Sequence, residues 1–310
     1  FEKKISDGSI LFIKSENKNW VLRQISIEYR KFLTQIFDYV TFDEKFLFNK
    51  QSKKNIIMSK YFALKNINSF ENSICFPYYH GTYDKNQFYN EISIINKNLN
   101  KIDRIQVTNQ KIEQALLENN VPHDKIMKIP ISIDFGIFKN LSSVSKKTIR
   151  DYYKIPQNAF VIGNFQKDGD GWFFGNNPKL IKGPDIFLKV IKILKDKIPN
   201  LYIFLTGPSR GYTKIGLRKM GVPFYHRYFR SYEDIIKSYK SLDTYLFCSR
   251  EEGGPRALLE CFASKIPIVS TNVGQTQDIL INKVNGFKTN NFNVEEMVNY
   301  IYQNIYQSEF

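Results

Sequence analysis

The 310-residue sequence predicts an α/β protein of two doubly wound parallel-sheet domains, on three observations. Short runs rich in Ile, Val, Phe and Tyr alternate with longer segments of helical period, the pattern of strand–helix–strand units. The alternation starts afresh near residue 160, after a stretch holding Asp134, Gly136, a Ser-Ser-Val-Ser-Lys-Lys run and Pro156, which reads as a connection outside either sheet. The length also suits about two domains, each large enough to bury a core.

In the first half, β-branched and aromatic runs predict strands over 10–13, 39–42, 55–58, 73–77, 104–108 and 125–129, with the clearest helical periods at 21–37 and 109–119. In the second half, strands are expected at 160–163, 201–206, 244–248 and 267–270, and helices at 183–197, 232–241 and 255–264. The domains are therefore placed at 1–148 and 149–310. Internal repeats and low-complexity tracts are absent from the sequence, which removes solenoids and propellers. No apolar stretch approaches the roughly 18 residues that would read as a membrane-spanning helix. Residues 1–10 are too polar for a signal peptide, and because the chain opens on Phe1 an upstream piece is expected.

Lys and Arg number 45 against 30 Asp and Glu, a formal charge of +15, of which +9 lies in residues 1–150 and +6 in the remainder. Charge spread in this way is not a nucleic-acid arm, and no nucleic-acid partner is expected. Much of it follows from a composition rich in Lys, Asn and Ile; the rest suits anionic ligands or an anionic membrane surface. Cys75, Cys248 and Cys261 are odd in number and widely spaced. They support neither a disulfide framework nor a zinc site, and a reducing cytoplasm is expected.

The chemistry concentrates in residues 249–262, Ser-Arg-Glu-Glu-Gly-Gly-Pro-Arg-Ala-Leu-Leu-Glu-Cys-Phe, between two expected strands. This reads as a strand, a glycine turn and a helix with Pro255 at its first position, where a missing N–H costs nothing. Gly253 and Gly254 leave the backbone open to a ligand, and the helix N-terminus adds its dipole, a combination suited to a diphosphate. Glu252 and Glu260 are pure hydrogen-bond acceptors when ionised and can hold hydroxyl groups. Ligands of open α/β sheets sit at the carboxyl ends of strands, so the expected site is the cleft between the domains.

This string, followed by Ile-Val-Ser-Thr-Asn-Val-Gly at 268–274, Asp278 and Asn285-Gly286-Phe287, resembles the family 4 glycosyltransferases (glycosyl transferases group 1), with their E-x7-E motif. The likeness covers most of residues 157–290, and the first half only loosely. It implies a GT-B fold, two Rossmann-like domains facing each other across a cleft, with the acceptor on the N-terminal side and the nucleotide-sugar on the C-terminal side. It further implies a retaining, hexosyl-type transfer from a nucleotide-diphosphate-sugar to a hydroxyl of a sugar or lipid-linked acceptor. The implied setting is cell-surface polysaccharide or glycolipid assembly, in the cytoplasm and peripherally at the inner face of the membrane.

By the same resemblance Glu252 contacts the donor sugar, Glu260 holds the ribose hydroxyls, and the backbone of Gly253 and Gly254 binds the diphosphate. Lys182, in Lys182-Gly183-Pro184-Asp185, grips the phosphates, and Gly163 belongs to the donor-binding set. His80, before Gly81, fits a cleft-lining His, which completes a catalytic set of His80, Lys182 and Glu252. His123 and His226 read as structural, with 225–228 bordering the base. The sequence departs from the family where Gly163-Asn164-Phe165-Gln166-Lys167 lacks an Arg, so that the second phosphate cation is either Lys167 or absent, and at 14–20, where a glycine-rich loop is missing. Asp168-Gly169-Asp170 has a D-x-D form but reads as a turn. No metal and no cofactor beyond the nucleotide-sugar substrate is expected. Two other readings stay open, a degenerate nucleotide-sugar binder or partner subunit, and another GT-B enzyme such as a sugar-nucleotide epimerase.

Overall fold

A computed structural model describes residues 5–14, 21–41, 54–140, 144–171 and 173–307. The departure read at 15–20 lies outside these residues. The elements form two compact units, Phe1–Pro130 and Ile131–Phe310.

The first unit carries strands β1 (Ile5–Lys14), β2 (Phe37–Thr41), β3 (Lys54–Ile57), β4 (Ile74–Pro77), β5 (Ile102–Val107) and β6 (Ile126–Lys128). They form one sheet in the order β2-β1-β3-β4-β5-β6, every pairing parallel. Its helices are α1 (Val21–Leu33), α2 (Lys60–Lys65), α3 (Lys85–Lys97) and α4 (Gln110–Leu117). Ser59, Asp84 and Asn109 cap α2, α3 and α4 by accepting a backbone N–H three residues on, satisfying donors the helix start leaves open. Ile57, Ile74, Phe76, Ile105 and Val107 meet Phe88, Ile92, Ile95, Ile112 and Leu116 in the core.

The second unit opens with two short helices, α5 (Phe135–Asn140) and α6 (Lys146–Tyr153). Its strands are β7 (Phe160–Phe165), β8 (Leu201–Thr206), β9 (Phe224–Arg227), β10 (Thr244–Phe247), β11 (Ile268–Thr271) and β12 (Phe287–Thr289). They too form an all-parallel sheet, in the order β12-β11-β10-β7-β8-β9. The remaining helices are α7 (Pro184–Lys197), α8 (Gly211–Lys219), α9 (Tyr232–Tyr239), α10 (Arg256–Ser264), α11 (Thr276–Ile279) and α12 (Val294–Gln307). Neighbouring strand residues face opposite sides. Ile162, Ile203 and Leu205 pack on α7 and α12, while Val161, Phe204 and Tyr245 pack with Tyr153, Tyr239 and Leu258 on the other face. A sheet covered on both faces explains why these strands are apolar runs without alternation.

The expected division at 148/149 moves upstream to Pro130/Ile131. The reason is packing of the presumed connection on the second unit. Phe138 sits with Ile236, and the Arg150 guanidinium donates to the carbonyls of Ser241 and Gln157 and to Asp243. Strands β9 and β12 and the helices α5, α6, α8, α11 and α12 were not anticipated; the two strands are only four and three residues long. All three cysteines are free, and burial pushes the Cys248 and Cys261 thiols up.

Candidate active site

In the second sheet the chain runs outward from β7 through β8 to β9, then returns to place β10 on β7's other side. That reversal opens a crevice at the carboxyl ends of β7 and β10, where α/β sheets bind ligands. The segments leaving those two ends are 166–182 and 248–254.

Lys182 ends a single 3-10 turn ahead of α7, and its Nζ donates to Oε1 of Glu252. Ser249 Oγ donates to the same oxygen at 2.9 Å. The following Gly183 has φ +65°, and a Cβ there would stand 1.8 Å from the carbonyl oxygen of Cys248. Only glycine permits that contact, which gives the Lys-Gly pair a structural reason: it presses Lys182 onto the end of β10. Arg250 N–H donates to the Ile181 carbonyl at 2.8 Å, and the Arg250 guanidinium grips Asp185 with two bonds of 2.8 and 2.6 Å. Burial opposes ionisation of Asp185, but the Arg250 guanidinium overrides it and holds the carboxyl below its ordinary pKa.

Lys179, one turn before Lys182, was not singled out from sequence. Burial, then the charges of Lys182 and Lys167, pull its ammonium below the ordinary pKa, with Glu252 and Asp170 opposing. The sequence signal for Lys179 was its i, i+3 spacing from Lys182, a pair that one helical turn brings together.

The glycine turn is fixed by Gln275, a second residue missed. Its backbone N–H donates to the Gly253 carbonyl at 3.0 Å, and its side chain bonds both the N–H and the carbonyl of Ile131, each at 3.2 Å. A Cβ on Gly254 would meet Gln275 Oε1 at 2.0 Å. The space beside Gly254 therefore admits Gln275, where the sequence reading had a ligand. Helix α10 begins just beyond at Arg256, one residue later than expected, so that Pro255 is the N-cap and not the first helical residue.

Glu260 lies on α10 and is buried. It accepts from the Tyr232 and Tyr239 hydroxyls, both at 2.7 Å, and pairs with Arg256 Nε at 3.3 Å. Both oxygens have protein partners, so a ribose hydroxyl would have to displace one. Gly163 lies inside β7, and a Cβ there would clash with Leu242 at 2.3 Å. Its glycine has a packing reason, and it is set back from the strand end.

The D-x-D reading ends at Asp168. This buried carboxylate pairs with Arg210 Nε at 2.9 Å and accepts from Thr213 Oγ1 at 2.6 Å. Arg210 is itself fully buried and donates to the carbonyls of Asn164, Gln166 and Thr206. An arginine from another segment therefore ties down the end of β7, where the resemblance leads one to look for an Arg within that strand's own loop. Among the described residues no group of three or more His, Cys, Asp or Glu is placed to hold a metal ion.

His80 belongs to the first unit, exposed in the loop after β4. Its carbonyl accepts from Lys60 Nζ at 2.8 Å, and the same ammonium pairs with Glu91 at 2.7 Å. Tyr78 donates to that carboxylate at 2.6 Å. His226 Nε2 lies 2.9 Å from the Gly207 carbonyl.

A β7 end joined through Lys182 and Glu252 to a glycine turn and a helix start is a segment whose sequence can be compared with known proteins. Residues 165–309 match the family Glycosyl transferases group 1. All of Lys167, Lys179, Lys182, Glu252 and Glu260 fall within the matched residues. An uncharacterized glycosyltransferase of Haemophilus influenzae is 31% identical over 120 residues, 38% of this chain and 34% of that protein. The match thus spans about a third of that curated relative. Among solved structures, Anabaena HepE in complex with UDP and glucose is similar with a TM-score of 0.72 at 15% identity, covering 97% of this chain and 90% of that one. WaaG, a glycosyltransferase involved in lipopolysaccharide biosynthesis, gives 0.72 at 12% identity, covering 97% and 91%. TarM of S. aureus gives 0.64 at 15% identity, covering 85% of this chain and 50% of that one. The fold, two parallel α/β sheets, is that of GT-B glycosyltransferases.

Proposed function

We propose that this chain is a retaining, family 4 glycosyltransferase that moves a hexosyl group from a nucleotide-diphosphate-sugar to a hydroxyl of a sugar or lipid-linked acceptor. The observation that carries the reading is the Lys182–Glu252 contact at the sheet's reversal point, inside the segment that matches group 1. As the glycosidic bond breaks, negative charge grows on the leaving diphosphate. Fixed positive groups help most where charge develops.

Lys182 is assigned the main phosphate contact. It is held by Glu252 in the unliganded arrangement, and an arriving phosphate would exchange for that partner. Glu252, released, would then orient the donor sugar. Lys179 and Lys167 add charge without needing an Arg after Gly163. The N–H groups of the 253–254 turn and the start of α10 are assigned to the diphosphate. Glu260 is assigned the ribose hydroxyls, with the half-buried Tyr232 hydroxyl as the partner displaced. His80 is assigned a hydrogen bond to a donor-sugar hydroxyl. No step of this scheme draws on a metal. The assembly of cell-surface polysaccharide or glycolipid, in the cytoplasm and with a peripheral contact to an anionic membrane, is the proposed setting.

Incubation with a panel of nucleotide-sugars, with nucleotide release followed with and without acceptor, tests this reading. Release stimulated by acceptor is expected for one donor. Tight donor binding without release would favour the degenerate binder, a reading that the closed state of Glu260 supports.

A further inference from the structure

Between Lys167 and Lys182 the chain makes a loop whose tip reads Gly171-Trp172-Phe173-Phe174-Gly175. Phe173 and Phe174 are 88% and 80% exposed, the two most exposed phenylalanines among the described residues. Rings left in water usually mark a surface that something covers. The loop is built, not slack. Gly169 bridges Pro178, Asp170 N–H donates to the Asn177 carbonyl at 2.9 Å and Lys179 N–H to the Asp168 carbonyl at 2.8 Å.

Both sides of the tip are pinned as well. Ser209 Oγ donates to the Gly171 carbonyl at 2.8 Å, and the N–H groups of Gly211 and Tyr212 donate to the carbonyls of Phe174 and Gly175 at 2.7 and 2.9 Å. Gly175 has φ +64°, and a Cβ there would stand 2.3 Å from the Ser209 carbonyl oxygen. The backbone of Phe174 and Gly175 is thus clamped against the start of α8 while the Phe173 and Phe174 rings stay in solvent.

Helix α8, Gly-Tyr-Thr-Lys-Ile-Gly-Leu-Arg-Lys, carries Lys214, Arg218 and Lys219 and no acid. Lys214 and Arg218 share its outer face with the exposed Ile215, while Thr213 and Leu217 are buried. Within the loop Asp168 is already paired with Arg210, which leaves Asp170 as the exposed opposing charge. Apolar rings beside a basic face are the two signals that together hold a protein on an anionic bilayer. Aromatic rings favour the headgroup layer.

We propose that Phe173, Phe174 and the adjoining face of α8 form a membrane-surface anchor, with an anionic lipid bilayer as its partner. This deepens the proposed peripheral contact and rests on it, and it places the contact on the second unit rather than on the more basic first half. Because Lys167 and Lys182 lie at the two ends of this loop, anchoring would hold the donor side at the membrane, where a lipid-linked hydroxyl is presented.

Co-sedimentation of the full chain with vesicles of phosphatidylcholine alone, or mixed with phosphatidylglycerol, tests the anchor without any transfer reaction. Binding to the mixed vesicles is expected, weaker at high salt. Phe173→Ser with Phe174→Ser should lower partitioning roughly a hundredfold, on the scale of two aromatic side chains returned to water. Lys214→Gln with Arg218→Gln should remove roughly tenfold from the mixed vesicles and little from neutral ones. Affinity for a nucleoside diphosphate, by calorimetry, should be unchanged in both variants. The anchor is overturned if the natural chain does not sediment, or if the serine variant binds as well as it does. It is equally overturned if those serines abolish self-association in vesicle-free solution, or weaken nucleotide binding, since the rings would then cover a second copy or a bound nucleotide. Absence of nucleotide binding by the natural chain would defeat the transferase reading alone.

Discussion

Each unit holds a lysine–glutamate pair beyond the carboxyl end of a strand, and the two pairs differ in burial. Lys60 and Glu91 are each 6% exposed; Lys60 also donates to the His80 carbonyl, and Glu91 also accepts from the Tyr78 hydroxyl and from the Gln87 side-chain amide. Lys182 and Glu252 are 25% and 14% exposed. The first pair is sealed by protein groups and shapes the His80 loop. The second keeps an open side, so an anion can exchange for the carboxylate. The same two side chains thus form a strut in one place and, under the proposed function, a binding device in the other, with accessibility as the difference.

The largest effect expected from this contrast is on stability. Lys60→Met leaves Glu91 as a buried, unpaired charge and should cost about 3–5 kcal/mol, read as a lower urea midpoint. A loss under about 1 kcal/mol would mean the pair is not a strut. Next in size, Lys182→Ala should lower turnover by roughly 10²- to 10³-fold while shifting unfolding by less than about 1 kcal/mol. Near-normal transfer would remove Lys182 from the phosphate role and erase the contrast.

Smaller effects sharpen the second unit. Tyr232→Phe removes one hydroxyl from Glu260 and should cost about 1–2 kcal/mol of stability, yet leave nucleotide affinity equal or a few-fold tighter, because a competitor for the ribose is gone. Markedly weaker nucleotide binding in that variant would show that Tyr232 itself is needed there. The smallest effect concerns His226. Burial first, then Lys214 and Arg210, hold its pKa below 6.5, with the Gly207 hydrogen bond and Asp168 opposing. The unfolded chain therefore takes up this proton first as pH falls, so stability is lost on acidifying through pH 6.5. His226→Gln should make the fall in urea midpoint from neutral to mildly acidic pH shallower, and an unchanged slope would count against a buried neutral ring.

The long strands of the second sheet were legible because both faces are covered: 201–206 was read at its observed bounds. The tyrosine partners of Glu260 were not, since Tyr232 and Tyr239 lie on another helix and only the fold brings them to the carboxylate. For the same reason Gln275, far from Ile131 in sequence, gave no local signal. The domain division failed on composition, because Ser, Gly and Asp in a connecting stretch say nothing of whether Arg150 and Phe138 dock on a neighbour. Lys182-Gly183 was read from a resemblance; its physical reason, the Cys248 carbonyl, appears only in three dimensions.

That contact has a mechanical consequence. With the Gly183 backbone wedged on Cys248, Arg250 gripping Asp185 and bonded to Ile181, the 180–185 turn and the 248–254 loop form one stiff piece. Neither can swing toward a ligand without the other, so fluctuations of the two segments are locked in step. Their amide hydrogens should exchange with solvent as a single cooperative unit, and a nucleotide that quiets one should quiet both.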